Sequence, residues 1–511
     1  MNRIDRAAEA ACSWGPGRAA LVLLLFGLGW LSLVLSVGGD PPIDNVEQLT
    51  WVRSLQWGYH KHPPLPTWLI WPAVQIFGLQ AWVAAGMGTA LHLTALWLWW
   101  DLLRRMAGDR LAWIALAGAL CIVHHSARLH HYNHNVVMLL ASVAAAWCLW
   151  RAWHEGRWRW WLGMGLAIGL GLLAKYQMAA TVLALLGFVA LSLRDSPPDR
   201  IRRHRLGLAL SLTTAAALLL PHLAWLLAHP ANPLSYAADS TLAADLNFAS
   251  RWTAWGVWLG DLILKSSGAV LVVGGLTAWS AGLAWRRGIA VTGVTTDTSA
   301  AAADALARRL ALCLFCAPLL LIAAMVLIGG AAVRPHWATT IALWALPWAL
   351  LAIDRRRWAP APVGVVLGCV LFVQALLVAQ HLRSESAGAR AQREARWGQP
   401  MAQRWAPAVA EAARRELRGD IRLVIGPDTV ASAFALAVEE RPYVLLDGRA
   451  DISPWVPPGL MDRCGVLFVA YEPPGPGVHP IAGAPPGIVW RVARPEDGRG
   501  CRGDRKRVDE P

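Results

Sequence analysis

Eleven apolar runs of membrane length constrain this chain more than any other feature. They occupy residues 19–38, 82–103, 111–127, 135–151, 159–174, 177–193, 207–228, 266–285, 309–330, 337–353 and 361–381, close to the 17–25 residues with which an α-helix crosses a hydrocarbon core. Lipid offers backbone N–H and C=O groups no partners, so each run must satisfy its own, and runs of this kind fold as helices. Composition agrees, since 56% of the 511 residues are hydrophobic, above the share usual in soluble domains. A further apolar piece, 65–79, contains Pro66 and Pro72 and is too short to span; it reads as interfacial or re-entrant. No small-residue cleavage site follows the first run, which is therefore expected to remain as an anchor rather than be removed.

Charge fixes the orientation. With the N-terminus inside, the inner segments carry twenty-one Arg, among them Arg3, Arg6, Arg18, Arg104, Arg105, Arg287 and Arg355 to Arg357, whereas the opposite short loops carry seven cations. Basic residues in short loops stay on the cytoplasmic side, so the chain is expected to run N-in and C-out. The same bias accounts for most of the net charge of +14 without a nucleic-acid partner.

From about residue 385 the pattern changes. Apolar runs shorten and helical and strand periods alternate: 399–417 and 429–440 read as helices, and 421–426, 441–446, 465–471 and 487–494 as strands. A small α/β domain over 385–500 is expected outside the membrane, followed by a disordered tail at 501–511. Its Cys464 and Cys501 would face an oxidising compartment, where a disulfide and two free thiols are both open. The remaining cysteines lie in or near spans and read as small apolar residues.

The seven outer cations are Arg53, Lys61, Arg128, Lys175, Arg251, Lys265 and Arg334. Topology penalises a cation on this side, so each calls for a local cause. Snorkelling to headgroups is one; convergence on a phosphate or pyrophosphate is the other, since Lys presents a compact charge and Arg a bidentate fork. The chain has only four Lys, at 61, 175, 265 and 506, and three of them fall here. Acids on the same side form two groups, Asp40, Asp44 and Glu47 after the first span, and Asp239, Asp245 and Asp261 in a long loop expected over 229–265. Asp44 and Glu47 are three apart and share a helix face. They either complement a helix N-terminus or, for Asp44, serve as a base.

These residues sit in segments that resemble a known family. Residues 44–71, DNVEQLTWVRSLQWGYHKHPPLPTWLIW, are similar to the first outer loop of the GT-C glycosyltransferases related to protein O-mannosyltransferases and lipid A aminoarabinose transferases, in which an acidic motif precedes a Gly-Tyr-x-Lys-x-Pro-Pro turn. RLHHYNHNVVMLL at 128–140, GLGLLAKYQMA at 169–179, PHLAWLLAHPANPLSY at 221–236 and the SPW of the terminal domain follow in the family's order. The resemblance implies a GT-C fold of about 11–13 transmembrane helices over residues 1–384 in a bacterial inner membrane, with its first loop at 39–81 and the α/β domain in the periplasm. It implies a polyprenyl-phosphate-linked sugar donor and a lipid, glycan or protein acceptor. On matching positions Asp44 becomes the catalytic base and Lys61, Lys175 and Arg334 the donor-phosphate ligands. Glu47, Tyr59, His62, Asn133, Asn135 and Tyr176 become substrate contacts. Direct displacement with inversion is expected, without a covalent glycosyl-enzyme.

Two departures matter. Asp44 is followed by Asn45 where relatives often have a second acid, and Asn133-His134-Asn135 stands where many carry an Asp. An amide hydrogen-bonds a sugar but is no base, which places more weight on Asp44. His60, His62, His124, His125, His130, His131 and His134 crowd the same edge and His336 begins another span; their spacing matches no standard metal site, so no metal ligand is assigned, although a divalent ion is conceivable. Trp51 and Trp57 are candidates for stacking on sugar or isoprenoid. A transporter or flippase of lipid-linked sugars is the competing class, and the inverted repeats and broken helices it calls for are not evident.

Overall fold

The computed structural model describes residues 15–38, 41–194, 196–242, 246–286, 298–352, 363–386, 402–471, 477–481, 484, 488–495 and 501. Arg3, Arg6, Arg287, Arg355 to Arg357, Asp40, Asp245 and the tail beyond Cys501 lie outside the described residues. The helices of the bundle are α1 (Pro16–Val37), α2 (Ile43–Trp51), α3 (Leu65–Phe77), α4 (Ala81–Ala107), α5 (Asp109–Ala119), α6 (His134–Glu155), α7 (Trp158–Ala174), α8 (Met178–Leu193), α9 (Pro198–Ala228), α10 (Pro233–Ala237), α11 (Phe248–Arg286), α12 (Thr298–Leu327), α13 (Thr339–Ala352) and α14 (Val363–Ser384). Among the described residues seven helices are long and apolar enough to cross a membrane, and the protein is a multi-pass membrane protein. The other four expected spans are shorter helices, α5, α7, α8 and α13.

Two boundaries differ from the sequence reading. The run 111–127 does not continue as a helix: α5 stops at Ala119, and the chain turns repeatedly, with a 3₁₀ turn at Val123–His125, until α6 begins. His124, His125, Ser126 and Arg128 in that stretch are poor lipid-facing residues but good ones for a polar cavity wall. The long loop expected over 229–265 ends at Phe248, because α11 starts there. Its charges are compatible with a helix since Lys265 Nζ donates to Asp261 Oδ2 at 2.7 Å across one turn, a favourable i,i+4 pair. The piece 65–79 forms the short α3, which carries Pro66 at its first turn and Pro72 within it.

The C-terminal end of α4 holds paired arginines. Asp101 of α4 accepts from Arg104, from Arg105 at 2.7 Å and from the Trp147 indole of α6 at 2.9 Å, which satisfies a buried carboxylate three times over.

The C-terminal domain comprises α15 (Ala402–Leu417), β1 (Leu423–Gly426), α16 (Asp428–Ala437), β2 (Tyr443–Leu446), α17 (Leu460–Cys464), β3 (Val466–Tyr471), β4 (His479–Pro480) and β5 (Ile488–Ala493), near the elements read from periodicity. The sheet order is β2-β1-β3-β5-β4, parallel between β1, β2 and β3 and antiparallel from β3 through β5 to β4. Cys464 and Cys501 form a disulfide. Trp51 and Tyr59 of the first loop are buried in the same apolar cluster as Trp405, Val430 and Phe434 of this domain. The domain therefore docks on the loop that carries the acidic motif.

Candidate active site

The site begins with α2, whose residues from Asn45 to Trp51 are all buried. Pro42 precedes it and Asp44 occupies its first turn, where a carboxylate complements the helix dipole. Asn45 pins the helix to the turn before α6: its Oδ1 accepts from the Tyr132 N–H at 2.8 Å and its Nδ2 donates to the His130 carbonyl at 3.0 Å. Close approach is possible here because Gly88 of α4 lies against that turn, where a Cβ would stand 2.8 Å from the His131 backbone.

This anchoring brings Asp44 to Asn133. The Asn133 amide donates to Asp44 Oδ2 at 2.9 Å, while its Oδ1 caps α6 by accepting from the N–H groups of Asn135 and Val136 at 3.0 and 3.1 Å. Asn135 Oδ1 in turn accepts from Lys175 Nζ at 2.7 Å. Lys175 leaves α7 in extended conformation, and its ammonium stands 5.1 Å from the Trp337 ring centre. Asp44, Asn133, Asn135 and Lys175 thus form one connected set drawn from three parts of the chain. An Asp at 133 would face Asp44 with like charge; Asn instead donates to it and still caps the helix. In this arrangement the Asn133 side chain is engaged through both its oxygen and its nitrogen, and Asn135 through its oxygen.

Lys61 forms a second set beside the first. Its Nζ donates to Glu47 Oε1 at 2.7 Å and to Asp428 Oδ2 at 2.5 Å; Asp428 is the first residue of α16 in the C-terminal domain. These groups lie outside the spanning helices. Burial pushes the Glu47 carboxyl up to about 8 against the pull of Lys61, and the Asp428 charge adds to the rise. Burial also raises Asp428, but Lys61 and hydrogen bonds outweigh it and hold the group below the usual carboxylate range. The set therefore holds one ammonium, one carboxylate and one carboxylic acid near neutral pH. His62 and His134 bridge the two sets with ring centres 3.9 Å apart. Burial keeps His62 far below its ordinary range, with His134, Lys175 and Lys61 acting in the same direction.

Other candidates go elsewhere. Tyr59 is buried, stacks on Trp51 at 4.8 Å and donates its hydroxyl to the Ser54 carbonyl at 2.8 Å, so it braces the loop rather than facing a substrate. Tyr176 bonds His222 Nε2 at 2.7 Å, and His222 Nδ1 lies 2.6 Å from the Trp57 carbonyl. A carbonyl only accepts, so the imidazole N–H is on Nδ1 and the phenol donates to Nε2; Tyr176 ties the loop to α9. Gly58 allows that approach, since a Cβ there would meet the Trp225 ring at 2.4 Å. Of the two tryptophans offered for stacking, Trp51 is fully buried and Trp57 is 48% exposed. Arg334 is exposed at the start of a 3₁₀ turn, where its carbonyl accepts from the Trp258 indole at 3.2 Å.

Beside Asn133 and Asn135 lies a small pocket, walled also by Arg128, His124, His131 and His336. Arg128 and Asp428 are charged groups near these sets that the sequence-based selection of site residues missed. Arg128 had a signal, an outer-side cation in an apolar setting; Asp428, in a separate domain, had none. Among the described residues no three His, Cys, Asp or Glu side chains are arranged to hold a metal ion.

Comparison with known proteins agrees with this architecture. Residues 61–225 match the family model described as dolichyl-phosphate-mannose-protein mannosyltransferase. The chain is 26% identical over 248 residues to the lipid A galacturonosyltransferase RgtD of Rhizobium johnstonii, a match spanning 47% of this chain and 48% of that protein, about half of each. Among solved structures, ArnT from Cupriavidus metallidurans bound to undecaprenyl phosphate superposes with a TM-score of 0.61 at 13% identity, covering 95% of this chain and 98% of that one. The apo form of ArnT gives 0.61 at 12% identity, covering 94% and 99%. The fold is that of the ArnT structures, in keeping with the GT-C fold that the sequence resemblance implied.

Proposed function

From this GT-C membrane fold we propose that the protein is a glycosyltransferase that moves a sugar from a polyprenyl-phosphate donor to a lipid A-like acceptor, on the periplasmic face of a bacterial inner membrane. The observation that supports the reading is the linkage of Asp44 to Lys175 through Asn133 and Asn135, the two amides that also line the neighbouring pocket. The solved relative bound to undecaprenyl phosphate and the lipid A specificity named for the curated relative favour the donor and acceptor classes.

The chemistry follows from charge. An acceptor hydroxyl attacks the anomeric carbon and gives its proton to Asp44, which orients and activates it. The bond from the anomeric carbon to the phosphate oxygen breaks, and the electron pair leaves with the polyprenyl phosphate. Lys175, with Lys61, Arg128 and Arg334 nearby on the same face, stabilises that developing charge. One displacement inverts the anomeric centre, and no side chain becomes glycosylated. Residues 133–135 order the site rather than react.

Purified protein in nanodiscs, incubated with labelled polyprenyl-phosphate sugars and lipid A, tests this directly. Transfer is expected with wild type, and Asp44→Asn is expected to lower it by at least about a hundredfold, the scale of a lost general base. Movement of intact donor across the bilayer without transfer would support the transporter class instead, and equal transfer by both proteins would remove Asp44 from the chemistry.

A further inference from the structure

Lys61 is shared by two carboxylates that arrive from different domains. Glu47 comes from α2, which is buried along its length and pinned by Asn45. Asp428 comes from the C-terminal domain, where Ser432 Oγ donates to its other oxygen at 3.0 Å. The Lys61 side chain is 21% exposed, and those of Glu47 and Asp428 are 8% and 13% exposed. The cation is therefore reachable while the acids behind it are largely covered. The Tyr236 ring centre lies 5.9 Å from Lys61 Nζ.

We propose that Asp428 is a stand-in for the donor phosphate: it occupies Lys61 while the site is empty and is displaced from it when a polyprenyl phosphate binds. The inference rests on the reading of Lys61 as a donor-phosphate ligand. It goes beyond that reading by making the C-terminal domain a participant in donor binding.

The argument is electrostatic. A phosphate brought to Lys61 with both acids in place meets a set whose charge is already balanced, and it gains little. Releasing Asp428 restores a full ammonium for the phosphate and removes a like charge from its side. Glu47 cannot make the exchange, because its helix is fixed within the bundle. Asp428 can, because it stands in the first turn of α16 and a small shift of that turn frees it. Two carboxylates on one ammonium are a poor way to stabilise a fold, since one of them must give up its charge. As a placeholder the arrangement has a use: it keeps Lys61 charged and extended in a desolvated setting until the phosphate takes over.

Binding of undecaprenyl phosphate, without sugar or acceptor, to wild type and Asp428→Asn in nanodiscs tests the exchange. Asn keeps the shape and a hydrogen-bonding oxygen but loses the competing charge, so binding is expected to tighten by on the order of tenfold. Lys61→Met is expected to weaken binding in either background. Unchanged or weaker binding by correctly folded Asp428→Asn would overturn the proposal while leaving the donor reading intact. No binding by wild type would remove both. If the variant fails to fold, hydrogen exchange on wild type decides: undecaprenyl phosphate is expected to increase exchange at the first turn of α16, and unchanged or reduced exchange there would overturn the proposal.

Discussion

Asn133 makes the sharpest statement at the level of single residues. It donates to Asp44 and caps α6 with the same side chain, so the amide is a working substitute for an acid and leaves Asp44 as the one carboxylate at that point. Asn133→Asp should place a second carboxylate within about 3 Å, and two such groups share a proton. The acid limb of the pH–rate profile is therefore expected to move upward and activity at neutral pH to fall about tenfold or more, with recovery toward high pH. A profile that keeps its acid limb in place would show that Asp44 is not the titrating base. Glu47 supplies a second test. Burial raises its carboxyl to about 8, so the folded state binds a proton that the unfolded chain releases near the ordinary carboxyl range. Stability from this group is present below that range and is lost as pH rises toward and through about 8. The melting temperature of wild type is expected to decline across that window relative to Glu47→Gln, which needs no proton; parallel curves would contradict it.

At the level of elements, the first loop works because a glycine sits where an aromatic ring passes. Gly58→Val is expected to push the Trp225 ring away from the Tyr176–His222–Trp57 tie, costing about 1–3 kcal/mol as overpacking does. Faster proteolysis between residues 52 and 64 would report it, and an unchanged cleavage rate would mean that the loop tolerates the shift. The spans were legible in the sequence because hydrophobic length is a local property. Where polar residues interrupt the signal, local reading fails in both directions. Hydropathy alone reads 111–127 as one helix, whereas the chain turns aside after Ala119 and brings His124 and Arg128 to the pocket wall; it reads the start of α11 as loop, although Asp261 and Lys265 neutralise each other on one helix face. The same limit applies to the site. The order of motifs brought out Asp44, Lys61 and Lys175, but not the use of Tyr59 and Tyr176 as braces, since a tyrosine in a loop looks alike whether its hydroxyl faces a substrate or a carbonyl.

For the whole molecule, the junction between bundle and C-terminal domain is where long-range information enters. Strand and helix periods foretold the α/β domain, yet nothing local in residues 399–440 says that α16 ends against α2 or that Asp428 reaches Lys61. Trp51 is fully buried and stacked on Tyr59 within the apolar cluster of the domain, and Arg53 reaches the Arg441 carbonyl and lies 4.6 Å from the Tyr443 ring centre. Trp51→Ala removes the largest of these contacts and should cost about 3–5 kcal/mol. The sheet has its own core around Val424, Leu446 and Leu467, so the loss is expected to appear as undocking rather than unfolding. Proteolysis within the first loop, residues 52–64, should quicken while the C-terminal domain stays resistant. Undocking also takes Asp428 from Lys61, so the variant should bind undecaprenyl phosphate at least as tightly as wild type even as transfer declines. Loss of binding together with loss of docking would instead mean that the domain helps to hold the donor.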